Sequence, residues 1–492
     1  MSSSSGSTAV AQPPVTRDLA AAIVAFKLAD LPDSVLHEAK RSLFNVLAVA
    51  IGASRHPGVD AILRVARETG GLPVAPIAGR SVLADAHFAA LGNGFAAHVD
   101  DYDDTHLATV IHPAAAIAAT LLALAPSTSP DGATAMRAFV LGCEIQLRVG
   151  VAISPEHYDD GWHITGTCGT IGAAVTACAL LGADARTTAR AIGIAASSTV
   201  GQREAFGRMT KAYHAGKAAA NGLLAATLAA RGFTAPEDAL EAPRGFADAL
   251  ATAHRIGALD LDLHANFELA KNTYKPYPCG IVAHPAIDAA VELATHIGNA
   301  AVVEAVVVHC NPLVPELMGN LSPADGLQAR FSAVHGVTMG LRDGAVGLAQ
   351  YDDALVVAPD VAALRARVQL EPDETMPRAS ARVVVRLMDG TIVEQIVTHA
   401  RGSLERPLTD LELNAKAEAL SPGVRTRMER LAELLKREPQ QVEESCVEGI
   451  LDLIERKCEV PLIVMESHLH LQYRGKDGQL TAPVQSEPSS AG

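Results

Sequence analysis

The stretch 381-ARVVVRLMDGTIVEQIVTH-399 decides the fold class. Two β-branched runs, 381–388 and 391–399, flank Asp389-Gly390, a pair suited to the positive-φ conformation of a hairpin turn. Two more strand-like runs precede them, VVEAVVVHC (302–310) and RVQLEP (367–372). Moving outward, the character changes on both sides. From about residue 16 to about 265 the apolar residues fall at helical spacing. LPDSVLHEAKRSLFNVLAVAIGA opens on Pro-Asp-Ser, a helix start, and HPAAAIAATLLALA, GTIGAAVTACALLGA, ARTTARAIGIAASS and HAGKAAANGLLAATLAARG follow it. These runs are apolar on nearly all sides, which implies helices buried in a multi-helix core. Helical signals return in LTDLELNAKAEAL and in VRTRMERLAELLKREPQQVEESCVEGILDLIERKC. The expected architecture is mostly α. A large all-helical domain (16–268) is interrupted by a smaller α+β lid domain (269–402), and C-terminal helices (403–465) return to the first. Residues 1–15 and 475–492 read as disordered tails.

Composition narrows the function classes. The 492 residues exceed one ordinary core, in keeping with two domains. Hydrophobic residues make up 49% and aromatics 4%, and the alanine-rich apolar positions favour closely packed helices over a β-sandwich. A formal net charge of −15 argues against nucleic acid or an anionic membrane as partner, while leaving room for a local basic pocket. The cysteines at 143, 168, 178, 279, 310, 446 and 458 are scattered, odd in number and never in a CxxC pair, which fits reduced thiols. The N-terminus lacks the basic and apolar regions of a secretory signal, and no window holds eighteen uninterrupted apolar residues. The expectation is a cytoplasmic protein.

The chemistry concentrates in four clusters. In 98-HVDDYDDTHLATVIHPAA-115, four aspartates and three histidines fall within fifteen residues. Asp101 and Thr105 would share a face if the segment were helical, and His112-Pro113 marks a helix start, where backbone N–H groups favour an anion. Asp103, Asp104 and His106 read as a solvated charged loop. No HExxH and no DxDxDG loop is present, so a metal site is the weaker reading. In 161-GWHITGTCGTIGAA-174, glycines at 166, 169 and 172 permit close backbone approach, and Thr165, Thr167 and Thr170 are candidate caps. His163 stands just ahead of that helix start; Cys168 reads as a small buried filler. The stretch 209-MTKAYHAGKAAANG-222 brings Lys211, His214 and Lys217 into an apolar helix, where a lysine either snorkels or holds a buried anion. Lys275 and His284 lie in 275-KPYPCGIVAHPAID-288, at the junction of the two expected domains, where ligand clefts are common.

Together, in this order, these motifs make the chain resemble the MmgE/PrpD family over about residues 16–460. The resemblance implies a cofactor-free enzyme with a helical domain and a lid domain, a homodimer, and a small di- or tricarboxylate substrate. Reactions known in the family are 2-methylcitrate dehydration, cis-aconitate decarboxylation and iminodisuccinate epimerisation. It also implies active-site residues at Asp101, Thr105, His112, His163 and Lys211. Two departures from the decarboxylase pattern follow: the Thr105–His112 spacing is one residue longer, and 330-RFSAVHG-336 places His335 where decarboxylases carry tyrosine. All three reactions move a proton at carbon next to a carboxylate, which calls for a base, an acid, and donors for the developing charge. The expectation is a 2-methylcitrate dehydratase-like lyase. Asp101, His112, His163 and Lys211 would be catalytic, with His163 as base, His112 or His335 as acid, and Asp101 tuning the histidines. Thr105, Thr167, Lys275 and His335 would contact substrate, with no metal. A polycarboxylate-binding protein without turnover is the non-enzymatic alternative.

Overall fold

A computed structural model describes residues 14–199 and 201–420. The helical signals expected within 421–465, the two expected tails other than Pro14 and Val15, and Cys446 and Cys458 lie outside those residues. The mostly α architecture is observed.

The described chain has two principal apolar cores. The first gathers helices Asp33–Gly52, Ala86–Val99, Pro113–Thr128, Gly132–Ile153, Ile164–Leu181 and Met209–Ala230. Nearly every residue of Ile164–Leu181 is buried, so this helix, long and apolar enough to cross a membrane, sits inside the protein core instead. Small side chains let the helices touch. A Cβ on Gly216 would stand 2.2 Å from the Leu91 carbonyl oxygen, and one on Gly94 would stand 2.7 Å from the Gly216 Cα. This contact locks Ala86–Val99, which leads into the Asp101 loop, against Met209–Ala230, which carries Lys211.

The second core spans residues 277–397. Its four-stranded sheet has the order Val368–Pro372, Val303–Cys310, Ala381–Leu387, Ile392–Val397, with the first pair parallel and the others antiparallel. The hairpin turn at Asp389-Gly390 forms. Leu387 N–H bonds the Thr391 carbonyl, and Gly390 takes the left-handed φ of +86° that closes the turn. Helices His284–Ile297 and Ala333–Asp343 pack on the sheet. A two-stranded ladder sits between the cores, with Asp104–His106 antiparallel to Asn272–Tyr274. Helix Asp410–Leu420 then returns to the helical unit, placing Ala417 in its core.

Candidate active site

The cluster 98–112 folds as turn, strand and turn. Helix Ala86–Val99 ends, Asp101 adopts a left-handed φ of +49°, and the chain enters the Asp104–His106 strand. Asp101 and Thr105 therefore do not sit four apart on a helix, yet both face one cavity. His112 is the N-cap residue of Pro113–Thr128, and His163 that of Ile164–Leu181. Two helix starts thus deliver two imidazoles to the same place.

Asp101 is buried, and its Oδ1 accepts from Lys211 Nζ at 2.6 Å and Lys275 Nζ at 2.8 Å. Burial alone would raise this carboxyl; the two ammonium groups, with His112, outweigh it and hold it well below the usual carboxylate range. Lys211 was expected either to snorkel or to hold a buried anion, and it holds Asp101. Burial nonetheless lowers the Lys211 ammonium from its ordinary value, against the pull of Asp101.

Asp103 overturns the solvated-loop expectation. It is fully buried, with His112 Nδ1 at 2.9 Å from one carboxylate oxygen and His98 Nδ1 at 2.7 Å from the other. Burial pushes it up, but the two imidazoles prevail and keep it ionised well below the carboxylate range. Asp104 is equally buried, accepting from Ser42 Oγ, Asn272 Nδ2 and the Ala114 N–H. Burial and the neighbouring Asp103 carry it up to about 7, against those donors. His106 is buried between Thr109 and Glu268. The charge run is inside because each member finds a polar partner, which removes the penalty that would otherwise expel it.

Burial disfavours the charged form of both cavity histidines. Burial lowers His112 despite Asp103, and lowers His163 well below its ordinary value, with Lys211 adding to the effect. His163 Nδ1 lies 3.0 Å from His214 Nδ1, so one imidazole donates and the other accepts. Asp103, on the Nδ1 side of His112, leaves its Nε2 as the unprotonated nitrogen. The ring of His98 packs edge-on against His112 and stacks with His163.

A cavity of about 60 Å³ is lined on one side by Asp101, Thr105, His112, Tyr158, His163, Lys211 and Lys275. Its other side is apolar, formed by Val110, Phe206, Ile281, Val282, Leu317, Met318 and Phe331. Thr105 Oγ1 is buried with no protein hydrogen-bond partner among the described residues. Beyond Phe206 and Leu317 opens a wider cleft of about 650 Å³ between Trp162, Arg203 and Glu316.

Not every expected residue arrives. Thr167 is buried against His157 Nε2 at 2.7 Å and does not line the cavity; Thr165 accepts the His112 N–H, and Thr170 bonds the Gly166 carbonyl, so none of the three threonines caps its helix. His335 lies in the α+β core, donating from Nε2 to the Gln350 carbonyl while its Nδ1 accepts from Arg365. His335, expected to contact substrate, therefore stands off the cavity lining. Lys217 and His284 also stand off the cavity lining. Cys168 is buried, which pushes its thiol up to about 12, far from a thiolate nucleophile. Sequence reasoning missed Asp103 and His98 as partners of the imidazoles, and the apolar wall contributed by Phe206, Leu317, Met318 and Phe331.

His98, Asp101, Asp103 and His112 present donor atoms within 4.8 Å of one another, a spread that a divalent ion can use. The rest of their bonding does not suit one. Asp101 already carries two ammonium groups, and both oxygens of Asp103 face imidazole nitrogens. A dication there would stand beside the two ammonium groups that Asp101 Oδ1 already holds.

Comparison with known proteins gives matches across both units. The model of the MmgE/PrpD N-terminal domain matches residues 17–258 and that of the MmgE/PrpD C-terminal domain matches residues 277–438. Cis-aconitate decarboxylase of Mus musculus is 26% identical over 427 residues, covering 82% of this chain and 86% of its own. The Homo sapiens protein of that name is 26% identical over 430 residues, with 82% and 87% covered. The Aspergillus terreus protein is 27% identical over 223 residues, or 44% of this chain and 46% of its own.

Proposed function

The chain belongs to the MmgE/PrpD family, and from that premise we propose a cofactor-independent lyase that dehydrates a small polycarboxylate of the 2-methylcitrate type. One observation carries the proposal. A buried carboxylate, Asp101, gathers two ammonium groups beside two neutral imidazoles, all facing one cavity.

Lys211 and Lys275 supply the positive charge that a substrate carboxylate needs, and the unpartnered Thr105 hydroxyl supplies a further hydrogen bond. His112 is the better base. Taking a proton at Nε2 makes it an imidazolium, and Asp103 at its Nδ1 stabilises that cation. His163, whose Nδ1 meets another imidazole, has no such counter-ion at that nitrogen among the described residues. This arrangement favours His112 over the His163 expected from sequence. The leaving hydroxyl departs as water with a proton from Lys211, whose lowered pKa makes it a stronger donor than an ordinary ammonium. The carbon–hydrogen electron pair forms the new double bond, and the developing enolate-like charge falls between the lysines.

The similarity to cis-aconitate decarboxylases supports decarboxylation as the second reading. The histidine at 335 no longer counts against it, because that position lies off the cavity. The inner cavity, at about 60 Å³, is small, and it shares Phe206 and Leu317 with the outer cleft, which offers the further room that either substrate would use.

Purified protein incubated with 2-methylcitrate, citrate and cis-aconitate decides among these. Rising absorbance of a conjugated product from 2-methylcitrate is the expected result. Carbon dioxide release from cis-aconitate, without dehydration, would move the assignment to the second reading. Calorimetric binding of these acids by folded protein, with no turnover and no exchange of substrate protons, would leave the binding-protein alternative. We expect turnover to survive exhaustive chelation.

A further inference from the structure

Lys416 lies on helix Asp410–Leu420, far along the chain from the clusters that build the cavity, and its side chain is buried. Its Nζ donates to Asn45 Oδ1 at 2.8 Å, to the Tyr102 carbonyl at 2.6 Å and to the Lys275 carbonyl at 3.0 Å. None of these partners is a carboxylate. A buried ammonium without a countercharge among its bonded partners is costly, so it needs every one of its protons satisfied. Three protons meet three acceptors, and only the ammonium form fills all three. The ring of Tyr102, 4.0 Å away, adds a cation–π contact. Burial pulls this lysine down to about 7, with Lys275 reinforcing and Asp103 and Asp104 opposing.

The two backbone carbonyls are what make the contact functional. Tyr102 follows Asp101, whose left-handed φ of +49° is a conformation a non-glycine residue holds only when its surroundings enforce it. Lys275 follows the strand Asn272–Tyr274 and sends its own Nζ to Asp101. The ladder pairs Asp104 with Tyr274 and goes no further. Beyond that point Lys416 bonds one carbonyl from each of the two backbones.

We infer that Lys416 is a positioning residue, whose ammonium group fastens the Tyr102 and Lys275 carbonyls together and so keeps Lys275 on Asp101. It is not itself among the cavity-lining residues and acts through that pair. The inference rests on the proposed function only for its kinetic readout.

The test is a double-mutant cycle between Lys416→Met and Lys275→Met, with whichever of 2-methylcitrate or cis-aconitate the wild type turns over. Lys416→Met alone is expected to lower kcat/KM about 50-fold, and in the Lys275→Met background by no more than about 3-fold further. A purely structural lysine would give the same fractional loss in both backgrounds, and that result would overturn the inference. Lys416→Gln, which keeps two N–H donors, serves in the same cycle should the Met variant fail to fold. Crystal structures of wild type and variant provide a readout that needs no turnover. Separation of the two carbonyls and loss of the Lys275–Asp101 bond are expected, whereas an unmoved pair would refute the role even if no substrate were found.

Discussion

The helical unit and the α+β unit both bury ionisable side chains, but they satisfy them differently. Around Asp101 several ionisable groups are paired with other ionisable groups: Lys211 and Lys275 on Asp101, His98 and His112 on Asp103, His163 on His214. In the α+β unit, buried His335 gives its proton to a backbone carbonyl, and Arg365, which bonds it, also bonds the Val356 carbonyl. A group held by backbone carbonyls has no titrating partner to set its charge. A group held by another titratable group has its charge set by that neighbour, so a proton moved at one place is felt at the next. The first arrangement stabilises a fold, and the second suits proton transfer.

The most severe way to break the coupled arrangement is to neutralise its centre. Asp101→Asn leaves two ammonium groups a few ångströms apart without their shared counter-ion, in a buried site. The loss in kcat/KM is expected to be about 1,000-fold or more, with thermal melting used to show that the fold persists.

Asp103→Asn is expected to cost less, about 100-fold in kcat, because it removes support for the base without removing the base. The pH profile is the sharper measure. The His112 pKa is already lowered by burial, and Asp103 is what raises it. Rate is lost as pH falls through that pKa. Without the carboxylate the limb should therefore move to lower pH, above a lower plateau. An acid limb in its wild-type position would show that the titrating base is a different residue.

How much of this was legible beforehand follows from the same contrast. The strand run at 381–399 and the all-round apolar helices announced their structure because periodicity and turn chemistry are local. Asp101, Thr105, His112, His163, Lys211 and Lys275 were picked out by residue chemistry and motif, and the fold brings all six to one cavity. Asp103 was not, since a run of aspartates looks the same whether it is solvated or paired. Only the tertiary approach of His98 and His112 decides between those. His335 failed in the opposite direction, because its place in a motif said nothing about where its ring points. The apolar wall came from 206, 281–282, 317–318 and 331, positions joined only by the two units closing on each other.

Asp104 and Asp103 sharpen the comparison within one dipeptide. Asp103 meets imidazoles and is held low, while Asp104 meets neutral donors and is carried up to about 7. A carboxyl whose folded pKa exceeds its unfolded value contributes stability at low pH that is lost as pH rises from about 4 through about 7. Asp104→Asn should remove that slope. Denaturant unfolding at pH 5 and pH 8 is expected to show the variant gaining on wild type by on the order of 2–3 kcal/mol at the higher pH. A constant difference across that range would mean that Asp104 is ionised throughout.

The smallest effect on catalysis is expected at His335. Both of its ring nitrogens are satisfied, Nε2 by a carbonyl and Nδ1 by a guanidinium, and its ring packs edge-on against Tyr351. Burial holds its pKa down to about 4, so it is a neutral ring throughout the range in which the enzyme would work. His335→Gln retains an amide donor for the Gln350 carbonyl and an oxygen for Arg365. It should leave kcat/KM and the pH–rate profile within about 2-fold of wild type, since nothing that touches the cavity changes. The cost appears in stability instead, about 1–2 kcal/mol from lost ring packing. The sign of its pH dependence is fixed by the direction of the shift. A histidine with a depressed folded pKa contributes stability that is present above about 6.5 and lost as pH falls toward about 4. The deficit of His335→Gln should therefore be largest at pH 7 and shrink below pH 6. A variant that folded as well as wild type but lost turnover would place His335 among the coupled groups, and the contrast between the two units would fail at that residue.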